Sequence, residues 1–148
     1  MITLLAKDFK LMFGNEKGLL KKLLTMILLK MHHYIFQDLY EWAGEPRIIS
    51  IYKEEDVLGG MSVEYSDPFD ITKDIHFILS DMRQKLWKDM DRKQASVEFC
   101  NSLARLWKVH PFREGNTRTT ITFCCQYADE IGLRINRKLF EKNSSCCL

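Results

Sequence analysis

Apolar residues recur at three- and four-residue intervals along most of the chain, the spacing of one buried face of an α-helix. The first stripe runs through Leu20, Leu23, Leu24, Ile27, Met31, Tyr34 and Ile35. A second follows Asp67-Pro68-Phe69-Asp70 and contains Ile71, Ile75, Ile78, Leu79, Met82 and Leu86. There Asp67 reads as the cap, Pro68 suits the first helical position, and Asp70 favours the positive end of the helix. A third helix, from about Gln94 to Lys108, is apolar around most of its circumference, which predicts a central position. A fourth begins after Gly115-Asn116 and carries Ile121, Cys124, Cys125, Ala128 and Ile131, with Gly132 to end it.

Between the first two stripes lies the single β-like signal. Arg47 to Tyr52 has strand composition, Lys53 to Gly60 is a polar turn, and Met61 to Tyr65 can return. The pattern predicts an all-α fold with one small β-hairpin. Such a hairpin is marginal in water unless it rests on a larger body, where its edge can pair with an extended peptide. No repeat, linker or low-complexity tract interrupts the chain, so residues 1–148 read as one domain with a core at about 20–140.

Composition narrows the function. With 22 Lys plus Arg against 20 Asp plus Glu, the net charge is +2, too balanced to suggest a nucleic-acid partner. Leu19 to Met31 is apolar but broken by Lys21, Lys22 and Lys30, and falls short of the roughly 20 residues that span a bilayer. It starts too late and lacks a cleavage site for a signal peptide. No membrane association is expected. The cysteines at 100, 124, 125, 146 and 147 are odd in number and lack metal-ligand spacing, which fits reduced thiols and a cytoplasmic protein. His32, His33 and His76 have no Asp, Glu or Cys one helical turn on and read as surface positions, His32 and His33 at a helix end. Trp42, Trp87 and Trp107 read as core or cap aromatics, and residues 88–93 as a solvated, mixed-charge helix end.

Chemistry concentrates in His110-Pro111-Phe112-Arg113-Glu114-Gly115-Asn116-Thr117-Arg118. A helix stops at an X-Pro step, a short loop follows, and another helix begins. Backbone N–H groups at a helix start are suited to phosphate oxygens. Arg118 can add a charged fork, Asn116 can donate its amide, and Glu114 offers a carboxylate for a magnesium ion on those phosphates. His110 can take a proton near neutral pH. The same residues also suit a plain helix stop with a buried aromatic and a solvated Arg-Glu pair.

This run resembles the signature of the Fic family, HPFx(D/E)GNGRxxR. The segment from Phe36 to Arg47 is similar to the one leading into that family's flap, and the likeness extends from about Phe36 to Leu139. Fic proteins are α-helical, and most transfer AMP from ATP to a hydroxyl of a target protein, releasing pyrophosphate. The resemblance implies that His110 deprotonates a Ser, Thr or Tyr hydroxyl of the target, and that Phe112 anchors the loop. It places magnesium on Glu114 and the nucleotide phosphates on Arg113, Glu114, Gly115, Asn116, Thr117 and Arg118. The flap at about 47–65, with Ile48, Ile49, Ser50 and Ile51, would dock the target by main-chain pairing. An inhibitory antitoxin-like protein is a further partner it suggests.

Three departures alter these expectations. Thr117 stands at the second glycine of the pattern and can change the pose of the nucleotide. Ile121 stands at its second arginine, which removes the usual grip on the γ-phosphate. The chain after Leu139 is shorter than the family pattern, in which another helix helps to close the adenine pocket. The family's inhibitory (S/T)xxxE(G/N) motif has one match, Ser50 to Glu54, in the expected hairpin, and reads as accidental. The alternative to an enzyme is a degenerate Fic fold that binds nucleotide or protein with little turnover; transfer of another phosphate-containing group is a third reading.

Overall fold

Helices form where the apolar periodicity places them: α1 (Leu19–Phe36), α2 (Ile71–Gln84), α3 (Arg92–Val109) and α4 (Asn116–Ile131), with a short 3-10 turn at Trp87–Asp89. The structure is a computed structural model that describes residues 19–53, 60–136 and 138, with α1 side chains from Leu24 onward. The side chains of Leu20 and Leu23 of the first stripe, residues 54–59 of the expected turn, and the tail from Leu139 with Cys146 and Cys147 lie outside what the structure describes.

The helices close a ring. Helix α1 packs on α2 and α4, and α3 packs on the same two. Leu24, Ile27, Leu28 and Met31 of α1 meet Ile71, Ile75, Leu79 and Met82 of α2. Leu106 and Val109 of α3 and Phe123, Cys124, Tyr127 and Ala128 of α4 complete the core. The end of α2 is held by side chains from elsewhere: the Trp87 indole and the Tyr127 hydroxyl both donate to the Met82 carbonyl, at 2.8 and 2.9 Å. Burial pushes the Tyr127 hydroxyl up to about 12. Among the described residues, no helix is long and apolar enough to cross a membrane.

Several expectations are corrected. Ile35 and Leu86 are exposed, since the buried side of α1 ends on Met31, His32 and Phe36 and leaves Ile35 beside it, and α2 ends before Leu86. Helix α3 is not central: it buries one stripe, Ala95, Phe99, Ser102, Leu106 and Val109, while Val97, Cys100 and Ala104 are exposed. Helix α2 begins at Ile71 and not at Pro68. Asp67 instead organises the preceding turn, its carboxylate accepting the Phe69 N–H at 2.9 Å. Helix α3 starts earlier than expected because Asp91 and Gln94 form a reciprocal capping box.

The connection from α1 to α2 forms no strand among the described residues, so the hairpin is not seen. Two short segments cannot hold a ladder by themselves. Lys53 N–H donates to the Ser62 hydroxyl at 3.2 Å. The main fastening is Arg47, which looked like the first residue of a strand and is instead fully buried. Its guanidinium donates to the carbonyls of His110 and Ile49 at 2.8 Å each, and to that of Ser66, while its N–H donates to Pro111 O at 2.7 Å. A buried guanidinium without such acceptors would be costly.

Candidate active site

Helix α3 ends on His110, the one left-handed residue other than glycine among the described residues, at φ 50° and ψ 60°. Its N–H donates to Trp107 O at 3.1 Å, and Arg47 holds its own carbonyl. The imidazole stacks on Tyr65 with centroids 4.2 Å apart and stands edge-on to Trp107 at 5.4 Å. Nδ1 lies 3.3 Å from the Trp107 carbonyl, so the proton sits there and Nε2 carries the lone pair. That Nε2 is buried and has no hydrogen-bond partner. Burial, then the Lys53 and Arg47 charges, lower the imidazole to about 4, against the opposing pull of the Trp107 carbonyl and Glu114. His110 is therefore a neutral base with a free lone pair at neutral pH.

The loop after it is set by residues from far away in the chain. Phe112 is buried, and His32 of α1 stacks on it with centroids 3.7 Å apart. His32 donates from Nε2 to Glu114 O at 3.0 Å and accepts the Gly44 N–H on Nδ1 at 2.8 Å. It is fully buried, which corrects the expectation of a surface helix end, and burial lowers its pKa. Asn116 closes the loop from the other side. It accepts the Phe112 N–H and donates to the Phe112 carbonyl, both at 2.7 Å. One of its two amide N–H groups is thus engaged within the loop, which leaves the other and the backbone N–H as donors for an anion. Gly115 caps α4 at φ +76°, and a Cβ there would fall 2.4 Å from the Phe36 ring. Only glycine fits both demands.

The first N–H groups of α4 have no partner within the helix and carry its positive end. They open, with His110, onto a cavity of about 1340 Å³ that Glu114, Gly115, Asn116, Thr117, Arg118 and Ile121 also line. The cavity continues along α3 and α4 to Trp87 and Ile135. Arg118 is exposed with its guanidinium over the Phe36 ring at 4.8 Å. The Thr117 hydroxyl accepts the Trp107 indole N–H at 3.0 Å, so the side chain replacing the pattern's glycine faces a partner. Glu114 is half-exposed and pairs with Lys53 at 3.3 Å.

Two groups of expected site residues stand apart from this cavity. Arg113 is exposed over Trp42 at 5.4 Å and does not line it. Ile48, Ile49 and Ser50 are exposed and Ile51 is half-buried, none of them lining it. Lys53, His32 and Arg47 belong to the site although their sequence context hides it. Among the described residues no group of three or more His, Cys, Asp or Glu gathers to hold a metal ion. Glu114 is the one carboxylate among the described residues lining the cavity, and its chemistry would suit a magnesium ion carried on phosphates.

The profile of the Fic/DOC family matches residues 23–128. The chain is 32% identical over 107 residues to the protein adenylyltransferase VbhT of Bartonella schoenbuchensis, covering 72% of this chain and 21% of that protein. It is 28% identical over 115 residues to the probable protein adenylyltransferase y4lH of Sinorhizobium fredii, covering 75% and 55%. A protein adenylyltransferase of Bartonella henselae is 27% identical over 137 residues, covering 86% and 25%. The chain thus spans between about a fifth and just over half of the length of these relatives. With its signature run built around a buried histidine and a helix start, this chain belongs to the Fic/DOC family.

Proposed function

We propose that this chain transfers AMP from ATP to a hydroxyl side chain of a target protein. The observation that carries the reading is that His110, whose Nε2 is buried and unpartnered, lines the same cavity as the start of α4. In this reading Nε2 takes the proton of a Ser, Thr or Tyr hydroxyl as its oxygen attacks the α-phosphorus. The bond from that phosphorus to the bridging oxygen breaks, and pyrophosphate leaves. Backbone N–H groups of α4 and the Arg118 guanidinium hold the phosphates. Magnesium, held by Glu114, would neutralise charge on the leaving phosphates. The exposed Ile48, Ile49 and Ser50 stand where an extended target segment can pair with the chain.

The names of the three relatives support an adenylyl group over other phosphate-containing groups. The second reading, a nucleotide-binding module with little turnover, draws on Thr117 and on the Lys53 contact to Glu114. Intact-mass measurement of candidate target proteins after incubation with this protein, magnesium and ATP separates the two. Gain of one adenylyl mass supports transfer; nucleotide binding without any such gain supports the module.

A further inference from the structure

Lys53 reaches the cavity rim from the connection that leaves α1, and its ammonium meets Glu114 across 61 residues of sequence. Both side chains are close to half-exposed, and such a pair is weak and exchangeable in water. Four cations line the cavity among the described residues: Lys53, Arg92, Arg118 and Arg134. Arg92 opens α3, which runs 18 residues to the site, so it lies roughly 25 Å away along the helix axis. Arg134 follows the far end of the 16-residue α4 and is similarly remote. One turn along α4 from Arg118 the wall is Ile121, which brings no charge. An anion on the N-terminal N–H groups of α4 therefore has two cations near it, Arg118 on the helix itself and Lys53 from the connection.

We propose that Lys53 is a phosphate-binding residue, exchanging its contact with Glu114 for the phosphate chain of a nucleoside di- or triphosphate seated at the start of α4. A lysine suits this exchange, being a compact charge on a flexible stem. The effect of Lys53 on His110 shows that its field already reaches into the cleft. The exchange leaves the Glu114 carboxylate available for a cation arriving with the phosphates. This inference rests on the reading of the loop as a nucleotide site.

Calorimetric titration of ADP, with magnesium present, into the folded wild type, Lys53→Gln and Lys53→Arg tests it. Melting curves establish that all three are folded, as an exposed side chain predicts. Lys53→Gln should weaken ADP about tenfold, and Lys53→Arg should recover most of that loss. Unchanged affinity in Lys53→Gln would overturn the proposal. So would tighter binding, the result expected if the pair merely blocks the carboxylate, or no recovery in Lys53→Arg. Failure of folded wild type to bind ADP would overturn the nucleotide reading itself, and this inference with it.

Discussion

The His32 ring on α1 donates to the carbonyl of Glu114 at 3.0 Å, across 82 residues of sequence. Its other nitrogen accepts from Gly44 at 2.8 Å, so one buried imidazole joins α1, the connection leading to Lys53, and the loop before α4. The pairing requires the neutral ring. An imidazolium has two donors and no acceptor, and would set Gly44 N–H against another N–H. The loop geometry at the candidate site thus depends on a residue outside the signature run.

Replacing His32 by leucine keeps most of the volume but leaves two backbone groups without partners. At about 1–3 kcal/mol for each unsatisfied group, His32→Leu should cost roughly 2–6 kcal/mol. Urea denaturation measures it, and a stability equal to wild type would show that the two hydrogen bonds contribute nothing.

Acid should destabilise the fold before its carboxylates matter. His110 is lowered to about 4 from an ordinary 6.5, and His32 is lowered as well. Between those two values the unfolded chain binds a proton that folded His110 refuses. Stability is therefore full above about 6.5 and falls as pH drops toward about 4. Urea midpoints from about pH 7.5 down to about 4.5 should decline, and His110→Ala should flatten part of that slope. A slope untouched by His110→Ala would assign the decline elsewhere.

His110→Ala should lower transfer by about 10²–10⁴ while leaving ADP affinity within about twofold. The base acts on the attacking hydroxyl, whereas the phosphates rest on α4. Labelling of a target at the wild-type rate would remove His110 from the mechanism.

Gly115→Ala meets two obstacles, a left-handed backbone and the Phe36 ring 2.4 Å from the new methyl. The backbone alone costs about 1–2 kcal/mol, and displacing Phe36 disturbs the contact under Arg118. A stability loss above about 2 kcal/mol with weaker ADP binding is expected. Denaturation and calorimetry check both, and a loss near zero would mean the loop relaxes freely.

Ile121 is half-buried and lines the cavity, so an arginine there can reach the cleft without entering the core. Wild type should distinguish ATP from ADP only weakly, and Ile121→Arg should shift the preference toward ATP by about tenfold. A melting curve with each titration guards against unfolding. A strong ATP preference in wild type would show that the γ-phosphate already has a grip.

The series Ile71, Ile75, Ile78, Leu79 and Met82 was legible along the chain and is buried as its spacing predicts. So was the run from His110 to Arg118, because a helix stop, a tight loop and a helix start are built from neighbours. Helix periodicity and turn chemistry are local properties, and sequence order displays them. Arg47, His32 and Lys53 were not legible. Arg47 has strand-like neighbours, His32 sits beside an exposed histidine, and Lys53 opens a polar turn. Their partners lie 63, 82 and 61 residues away. Which side of α3 stays open was also undecided, since an apolar face reads alike whether a helix or a cavity lies against it. Arg47 and His32 are tolerated inside because distant backbone groups converge on them, and Lys53 is held at the rim by a distant carboxylate. That convergence exists once the helices have packed, so the tertiary structure alone chose these three residues.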